Sequence, residues 1–445
     1  CYNNHPLKEL QLKQYTSIHN HTEYSNVKLI DSINRASELI DYAYELGLNG
    51  LAITDHDTIS CHVQAWNYYN KKFDKDAQKN FKLILGNEIY LCRSDLNEDT
   101  HQKGEKFYHL ILLAKDDKGH EQIRRISSKA WGRAYYKNIM RTPTFSEDLF
   151  EIVGNEPGHL IATTACLGGY CGSKFNEGDF AAIEKHLMVM EQLFGKGNFY
   201  IELQPSAQSD QIKYNNYMIE NYWGKYPFVL STDSHYLKKE HQEIHKVFLN
   251  SKSSGDREVD SFYASAYMMS NEEVYNYFMN CNGISKDKID IMCDNTNEIA
   301  NSVVGYNLKR TSVLPRVNYS VDKLNSIYSN WIGEYPDETR WLGEVISKNN
   351  PADIHLLNLV AENWHKTPQD KQKEYIIELD YEFEQLFKIS NDLNQSMSDY
   401  FITMAKMIDI MWDNANSLVG PARGSAASSL INYLLGITQI DPLAQ

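Results

Sequence analysis

Seven short β-rich runs spread over residues 15–235 constrain this chain more than any other feature. They read YTSIHNH (15–21), GLAITDHD (50–57), FKLILGNEIYL (81–91), FYHLILLA (107–114), HLIATTACL (159–167), FYIELQ (199–204) and PFVLSTDSH (227–235). Helical periods lie between several of them, among them INRASELIDYAYELG, with Gly47 placed as a C-cap, and EQIRRISSKAW. Alternating strands and helices predict an α/β fold of parallel strands with helical crossovers. Seven such strands predict a closed or nearly closed barrel rather than an open two-layer sheet.

Beyond about residue 270 the pattern changes. Residues 271–310 read as mainly polar helix, followed by the Pro-containing connector SVLPRVNYS. The stretch ELDYEFEQLFKISNDLNQSMSDYFITMAKMIDIMWDNA then reads as one or two amphipathic helices. A domain boundary is expected near 265–275, giving domains 1–270 and 271–445.

The strands carry candidate metal ligands, mostly near their C-terminal ends, where barrel enzymes build their sites. The first strand offers His19 and His21, whose spacing of two puts both imidazoles on one face. The second offers Asp55 and His56, the third Glu88, the fourth His109 and the fifth Cys166. The seventh offers Asp233 and His235, again two apart. The sixth offers Glu202, which reads more as a wall residue. Singly, each has an ordinary structural reading: Cys166 as a small buried hydrophobe, Asp31 as an N-cap at the start of a helix. Jointly, imidazoles and acids recurring at corresponding ends of successive strands point to a metal site. Mixed imidazole and carboxylate ligation favours Zn²⁺, Mn²⁺ or Fe²⁺ over Ca²⁺ or Mg²⁺. The ligands outnumber what one ion can use, so two or three ions are expected, with Glu88 bridging. Clustered divalent ions stabilise both the attacking and the leaving oxygen of a phosphoester displacement.

This constellation resembles the polymerase-and-histidinol-phosphatase (PHP) domain over roughly residues 12–250. HNHTEYS, ITDHD, GNEIY, HLILLA, TTACLGG and TDSHYLKKE all fall in the family's order. The resemblance carries metal binding to His19, His21, His56, Glu88, His109, Cys166, Asp233 and His235, and catalysis to Glu88, His109 and Asp233. The family also has an acid shortly after the His-x-His pair. The spacing is stretched here, so Asp31 is chosen, with Asn26 as the alternative.

The last residues, GPARGSAASSLINYLLGITQIDPLAQ, resemble the palm of the bacterial and phage replicative DNA polymerase III alpha subunit. There a Gly-Arg-Gly-Ser turn binds the incoming nucleotide triphosphate, which carries that role to Arg423, Gly424 and Ser425. Ala422 stands where the family usually has Gly. A tight turn opening onto a helix points N–H groups at an anion, and Arg423 adds a fixed charge. The resemblance implies a distorted seven-stranded (β/α) PHP barrel followed by a mainly helical α+β portion of a palm. It also implies DNA primer-template, deoxynucleoside triphosphates, the sliding clamp and other replisome subunits as partners, with Mg²⁺ for polymerisation. The paired palm aspartates would lie downstream of Gln445, so the rest of the polymerase is expected in a longer or second chain. The first residue, Cys1, fits processing, intein excision or an arbitrary cut equally.

Composition adds limits. The net charge of −15 excludes a globally basic nucleic-acid surface, so DNA contacts must be local. Seven Cys without paired spacing fit a reducing cytosol. No apolar run approaches the ~20 residues of a membrane span. Three readings follow: a polymerase III alpha-type N-terminal portion whose PHP domain is a 3′-to-5′ exonuclease; a free-standing phosphatase on a small phosphomonoester; or a non-catalytic scaffold held by metal. The polymerase-like C-terminal stretch favours the first.

Overall fold

The computed structural model describes residues 11–27, 30–92, 106–137, 139–251, 261–309, 313–320 and 323–444. Seven strands form one curled sheet: β1 (Thr16–Ser17), β2 (Gly50–Ile53), β3 (Lys82–Cys92), β4 (Tyr108–Ala114), β5 (Leu160–Thr163), β6 (Phe199–Leu203) and β7 (Phe228–Leu230). Each is hydrogen-bonded to its neighbour in chain order. Just past the ends of β1 and β7 the sheet closes on itself, since Asn20 pairs with Ser234 and His21 N donates to Ser234 O at 3.0 Å. All seven expected runs therefore enter one distorted barrel.

The expected all-parallel arrangement needs one correction. β4 runs antiparallel to both β3 and β5, with Gly86 opposite Leu113 and Ala114 opposite Leu160. Antiparallel neighbours pair without a helical crossover. The reversal matters for the site, because His109, second in its strand, reaches the same rim as the C-terminal ends of the other strands. A hairpin of Tyr135–Lys137 with Ile139–Arg141, and a short strand Thr144–Phe145 beside the end of β3, were not foreseen.

Alternation along the strands sorts the core into two layers. Ile84, Ile111, Leu113, Ile161, Tyr200 and Val229 pack together as one buried cluster inside the barrel. The intervening Leu83, Leu85, Leu112, Ala162, Ile201 and Leu230 join a second cluster with the surrounding helices. Those helices include α1 (Ala36–Glu45), α2 (His62–Lys72), α3 (Asp117–Gly132), α4 (Phe180–Phe194) and α5 (Ser209–Tyr222). As expected, Gly47 follows α1 with a left-handed φ of +72°.

The N-terminal end of the barrel is closed by α6 (Lys286–Ser302), whose Ile299 and Ala300, with Val303 just beyond it, join the interior cluster. Thr296 Oγ1 accepts from Thr16 N at 3.0 Å, and Asn295 Nδ2 donates to Phe228 O at 2.7 Å. Because of this packing the first compact unit extends to Lys309, beyond the boundary expected at 265–275.

The second unit, from Arg310 to Gln445, is helical. Its core gathers Tyr328, Trp331, Leu342, Leu356, Leu357, Val360, Leu379 and Phe383. The long amphipathic stretch forms two helices, Gln372–Leu393 and Ser398–Asp413, interrupted at Asn394 by a φ of +50°. Among the described residues this unit holds no strand, so the β part of the expected α+β layout is not among them.

Candidate metal centre

Strand alternation delivers part of the site, and the segments just past the strand ends deliver the rest. Glu88, His109 and Glu202 fall in the same alternation as the interior residues Ile84, Ile111 and Tyr200. The residues expected to bind metal converge at this one rim, as three ligand groups: His21, His56 and His235; His19, His21 and Asp233; and Glu88, His109 and Cys166. Glu88 sits centrally. Its Oε1 is 2.8 Å from His109 Nδ1 and 3.6 Å from His19 Nε2, and its Oε2 is 3.6 Å from His21 Nε2 and in contact with His56 Nδ1. Asp233 Oδ1 lies 3.2 Å from His19 Nε2 and 3.0 Å from His21 Nε2. Cys166 Sγ is 3.4 Å from His109 Nδ1.

Of the two candidates for the stretched position, Asp31 faces the imidazoles. Its Oδ2 lies 2.6 Å from His56 Nε2 and 2.9 Å from His235 Nε2, while Oδ1 accepts from Tyr263 Oη at 2.7 Å. Asn26 closes the loop instead: its Oδ1 accepts from the N–H groups of Asp31 and Ser32, and its Nδ2 donates to Ser32 O. Asp31 is no helix cap, since α1 begins at Ala36. Asp55 points away from the cluster and accepts from Thr22 N, Thr22 Oγ1 and Ser25 Oγ.

The proton inventory shows what the cluster lacks. Glu202 Oε1 lies 2.7 Å from His19 Nδ1 and can only accept, so Nδ1 carries the proton. Ser25 Oγ gives its proton to Asp55 and so accepts from His21 Nδ1 at 3.2 Å. His235 Nδ1 donates to Asp233 O at 2.8 Å. The Nε2 lone pairs of His19, His21 and His235 therefore all face inward, toward carboxylates and one another, with His19 and His21 Nε2 only 3.1 Å apart. Both Glu88 oxygens, Asp233 Oδ1 and His56 Nδ1 are buried without a hydrogen bond, although imidazole nitrogens and carboxylate oxygens crowd together. Buried carboxylate oxygens and imidazole nitrogens packed this closely are costly unless protons or metal cations lie among them. With imidazole, carboxylate and one thiol as donors, the residues fit divalent ions of the Zn²⁺, Mn²⁺ or Fe²⁺ type.

Charge balance follows the same logic. Burial opposes charge on His56, but Glu88 and Asp31 outweigh it and push the imidazole up to about 10. Burial, then His56 and His235, push His21 down to about 3. Glu88 is held well below the usual carboxylate range, because His109 and His56 beside it overcome the effect of burial. Burial, and then the Asp233 and Glu88 carboxylates, push the Cys166 thiol up.

Backbone strain concentrates at this rim. Asp233 itself, Asp57 after His56 and Ala165 before Cys166 adopt φ values of +47°, +50° and +56°, a cost generally retained where a site over-determines it. Gly168 and Gly169 let the following loop pass close under His109. A Cβ on Gly168 would lie 3.1 Å from that ring, and one on Gly169 only 2.2 Å from Thr164 O.

Sequence reasoning undervalued Glu202. It is 1 % exposed and also accepts from Ser231 Oγ at 2.5 Å and Thr163 Oγ1 at 2.5 Å. Its alternation with Tyr200 was the available signal.

In the second unit, Arg423, Gly424 and Ser425 are exposed, and Gly424 supplies the turn's left-handed φ of +56°. Ala422 carries no backbone strain of the left-handed kind, because its φ is not positive. A short 3-10 helix, Gly424–Ser428, follows the turn; the next helix, Leu430–Leu434, is capped by Ser429, and its first N–H groups are occupied. Glu382 accepts from Leu430 N at 2.5 Å, Ile431 N at 2.9 Å and Ser429 Oγ at 3.0 Å. The first amides of this helix are thus already satisfied by a carboxylate.

Comparison with known proteins agrees with this architecture. The PHP domain matches residues 17–206, and the bacterial DNA polymerase III alpha NTPase domain matches residues 354–445. The chain is 37% identical over 454 residues to "Probable DNA polymerase YorL" of Bacillus subtilis (strain 168), covering 96% of this chain and 34% of that protein. A "DNA-directed DNA polymerase" of Bacillus phage SPbeta matches to the same extent. The DNA polymerase III subunit alpha of Aquifex aeolicus (strain VF5) is 26% identical over 458 residues, covering 97% of this chain and 34% of that protein. The chain spans about a third of the length of these relatives. It carries a PHP domain followed by part of a DNA polymerase III alpha domain, and corresponds to an N-terminal region of the DNA polymerase III alpha type.

Proposed function

We propose that the barrel rim is a divalent-metal site that hydrolyses the 3′-terminal phosphodiester of DNA, within a replicative polymerase. The observation that carries this reading is the convergence of imidazole nitrogens, a thiol and the buried Glu88 and Asp233 carboxylates at one rim. Bound divalent ions would activate water and neutralise the phosphate oxygens of the displacement. The chain's own residues have distinct tasks. Glu88 belongs to one ligand group and reaches histidines of the other two, which holds the three in register. Asp233 and His109 complete the groups on either side, and Asp31 orients His56 and His235. Tyr90, its ring 4.7 Å from that of His109 and 5.7 Å from that of His56, forms one wall of the rim.

The polymerase relatives support DNA and deoxynucleoside triphosphates as substrates. In the second unit the triphosphate contact rests on Arg423, Ser425 and the turn at Gly424, not on the following helix. Arg423→Ala is expected to abolish nucleotide binding in a full-length polymerase that carries this region, assayed with Mg²⁺, and an unchanged affinity would remove the turn from the site.

The test of the main reading offers a 3′-mismatched primer and a small aryl phosphomonoester to the protein with Mn²⁺. Shortening of the primer from its 3′ end, lost in Glu88→Ala, is the expected result. Hydrolysis of the phosphomonoester with the primer untouched would establish the phosphatase reading instead. Bound metal without hydrolysis of either would establish a scaffold.

A further inference from the structure

Glu202 is a buried carboxylate outside the metal-facing set, and it touches only one of the imidazoles. The three inward-facing Nε2 atoms are backed at Nδ1 by acceptors of different strength. His19 is backed by the Glu202 carboxylate at 2.7 Å, His21 by the Ser25 hydroxyl at 3.2 Å, and His235 by the main-chain carbonyl of Asp233 at 2.8 Å. A full negative charge behind an imidazole fixes its tautomer and strengthens its other nitrogen as a donor to metal. A hydroxyl or carbonyl does so less.

Glu202 is itself held rigidly. Ser231 Oγ and Gln204 Nε2 donate to Oε1, Thr163 Oγ1 donates to Oε2, and the Glu202 N–H is tied to Thr164 Oγ1 at 3.0 Å. The strand pairs that position it, β5 with β6 and β6 with β7, belong to the barrel wall. Its orientation is therefore set by the barrel wall and by residues just past its strands.

The geometry points to Glu202 as the positioning residue that makes the His19–His21–Asp233 group the tightest of the three ligand groups, so that it fills first. Glu202 does not touch substrate. It acts through His19 alone, and its removal should weaken one ion selectively. This inference rests on the metal-site reading above but not on the identity of the substrate.

The test strips the full chain of metal and titrates it with Mn²⁺ by calorimetry, following free Mn²⁺ by electron paramagnetic resonance. Glu202→Gln keeps the size of the side chain and removes its charge. The expected result is a 10–100-fold weaker first binding event with the later events unchanged, and an apo-protein that melts with the same cooperativity as wild type. Equal weakening of all events would assign Glu202 a purely structural role, and an unchanged first event would remove it from the site. If Glu202→Gln does not fold, the wild type decides alone. Crystals grown with one equivalent of Mn²⁺ should show the anomalous signal among His19, His21 and Asp233, and a first signal beside Cys166 would overturn the proposal. A protein that loads in this order yet cleaves no primer would refute the exonuclease reading alone.

Discussion

At the scale of single residues, the loop after the first strand separates two roles that lie five residues apart. Asn26 serves the backbone, with its amide oxygen taking the N–H groups of Asp31 and Ser32. Asp31 serves the imidazoles of His56 and His235. Asn26→Ala should therefore cost about 1–3 kcal/mol of stability through unpaired backbone groups while leaving the number of bound metal ions unchanged. Asp31→Asn should lower metal affinity with a smaller change in melting temperature. Calorimetric melting and metal titration of the two variants check this, and the reverse pattern would exchange their roles. Sequence spacing alone kept both residues open, because the choice depends on which one the folded loop turns inward.

At the scale of elements, strand parity explains why so much of the site was legible. A period of two carries Glu88 and His109 inward once Ile84 and Ile111 are known to face the interior. What parity does not encode is direction, so the reversal of β4 was missed although His109 still reaches the rim. Glu202 was misjudged for a related reason. Its role lies in a contact with His19, 183 positions away, which no local pattern reports. The start of α2 offers a further check. His62 Nε2 donates to Gly86 O at 2.8 Å and Nδ1 accepts from His120 Nε2 at 3.0 Å, so the ring is held neutral. Burial and His120 push it down from 6.5 to about 3. A histidine whose folded value is depressed contributes its full stability above about pH 6.5 and loses it as pH falls toward 3, by up to about 1.4 kcal/mol per pH unit. Wild type should thus lose more melting temperature between pH 6.5 and pH 4 than His62→Gln does. Equal losses would contradict a neutral buried ring.

At the scale of the whole molecule, the barrel is one compact unit that needs α6. Ile289, Met292, Cys293, Ile299 and Ala300 are buried, and each large aliphatic side chain contributes roughly 1.5–3 kcal/mol on burial. A polypeptide ending at Lys309 should melt cooperatively and retain the metal site, whereas one ending at Ser270 should lose cooperative melting. Identical melts would place α6 outside the barrel unit. Composition gave no hint of this dependence, because α6 reads as a polar helix whose apolar stripe finds its partner only in the closed barrel. No helix among the described residues is long and apolar enough to cross a membrane. The central claim is that the acceptor-rich rim exists to hold divalent ions around Glu88. The most direct measurement is the metal content of the purified chain, stripped and reloaded with Mn²⁺ and then counted by mass spectrometry, for wild type and Glu88→Gln. Two or three ions per chain in wild type, and fewer in a variant that still folds, is the predicted result. An empty wild type, or a full complement in Glu88→Gln, would contradict it.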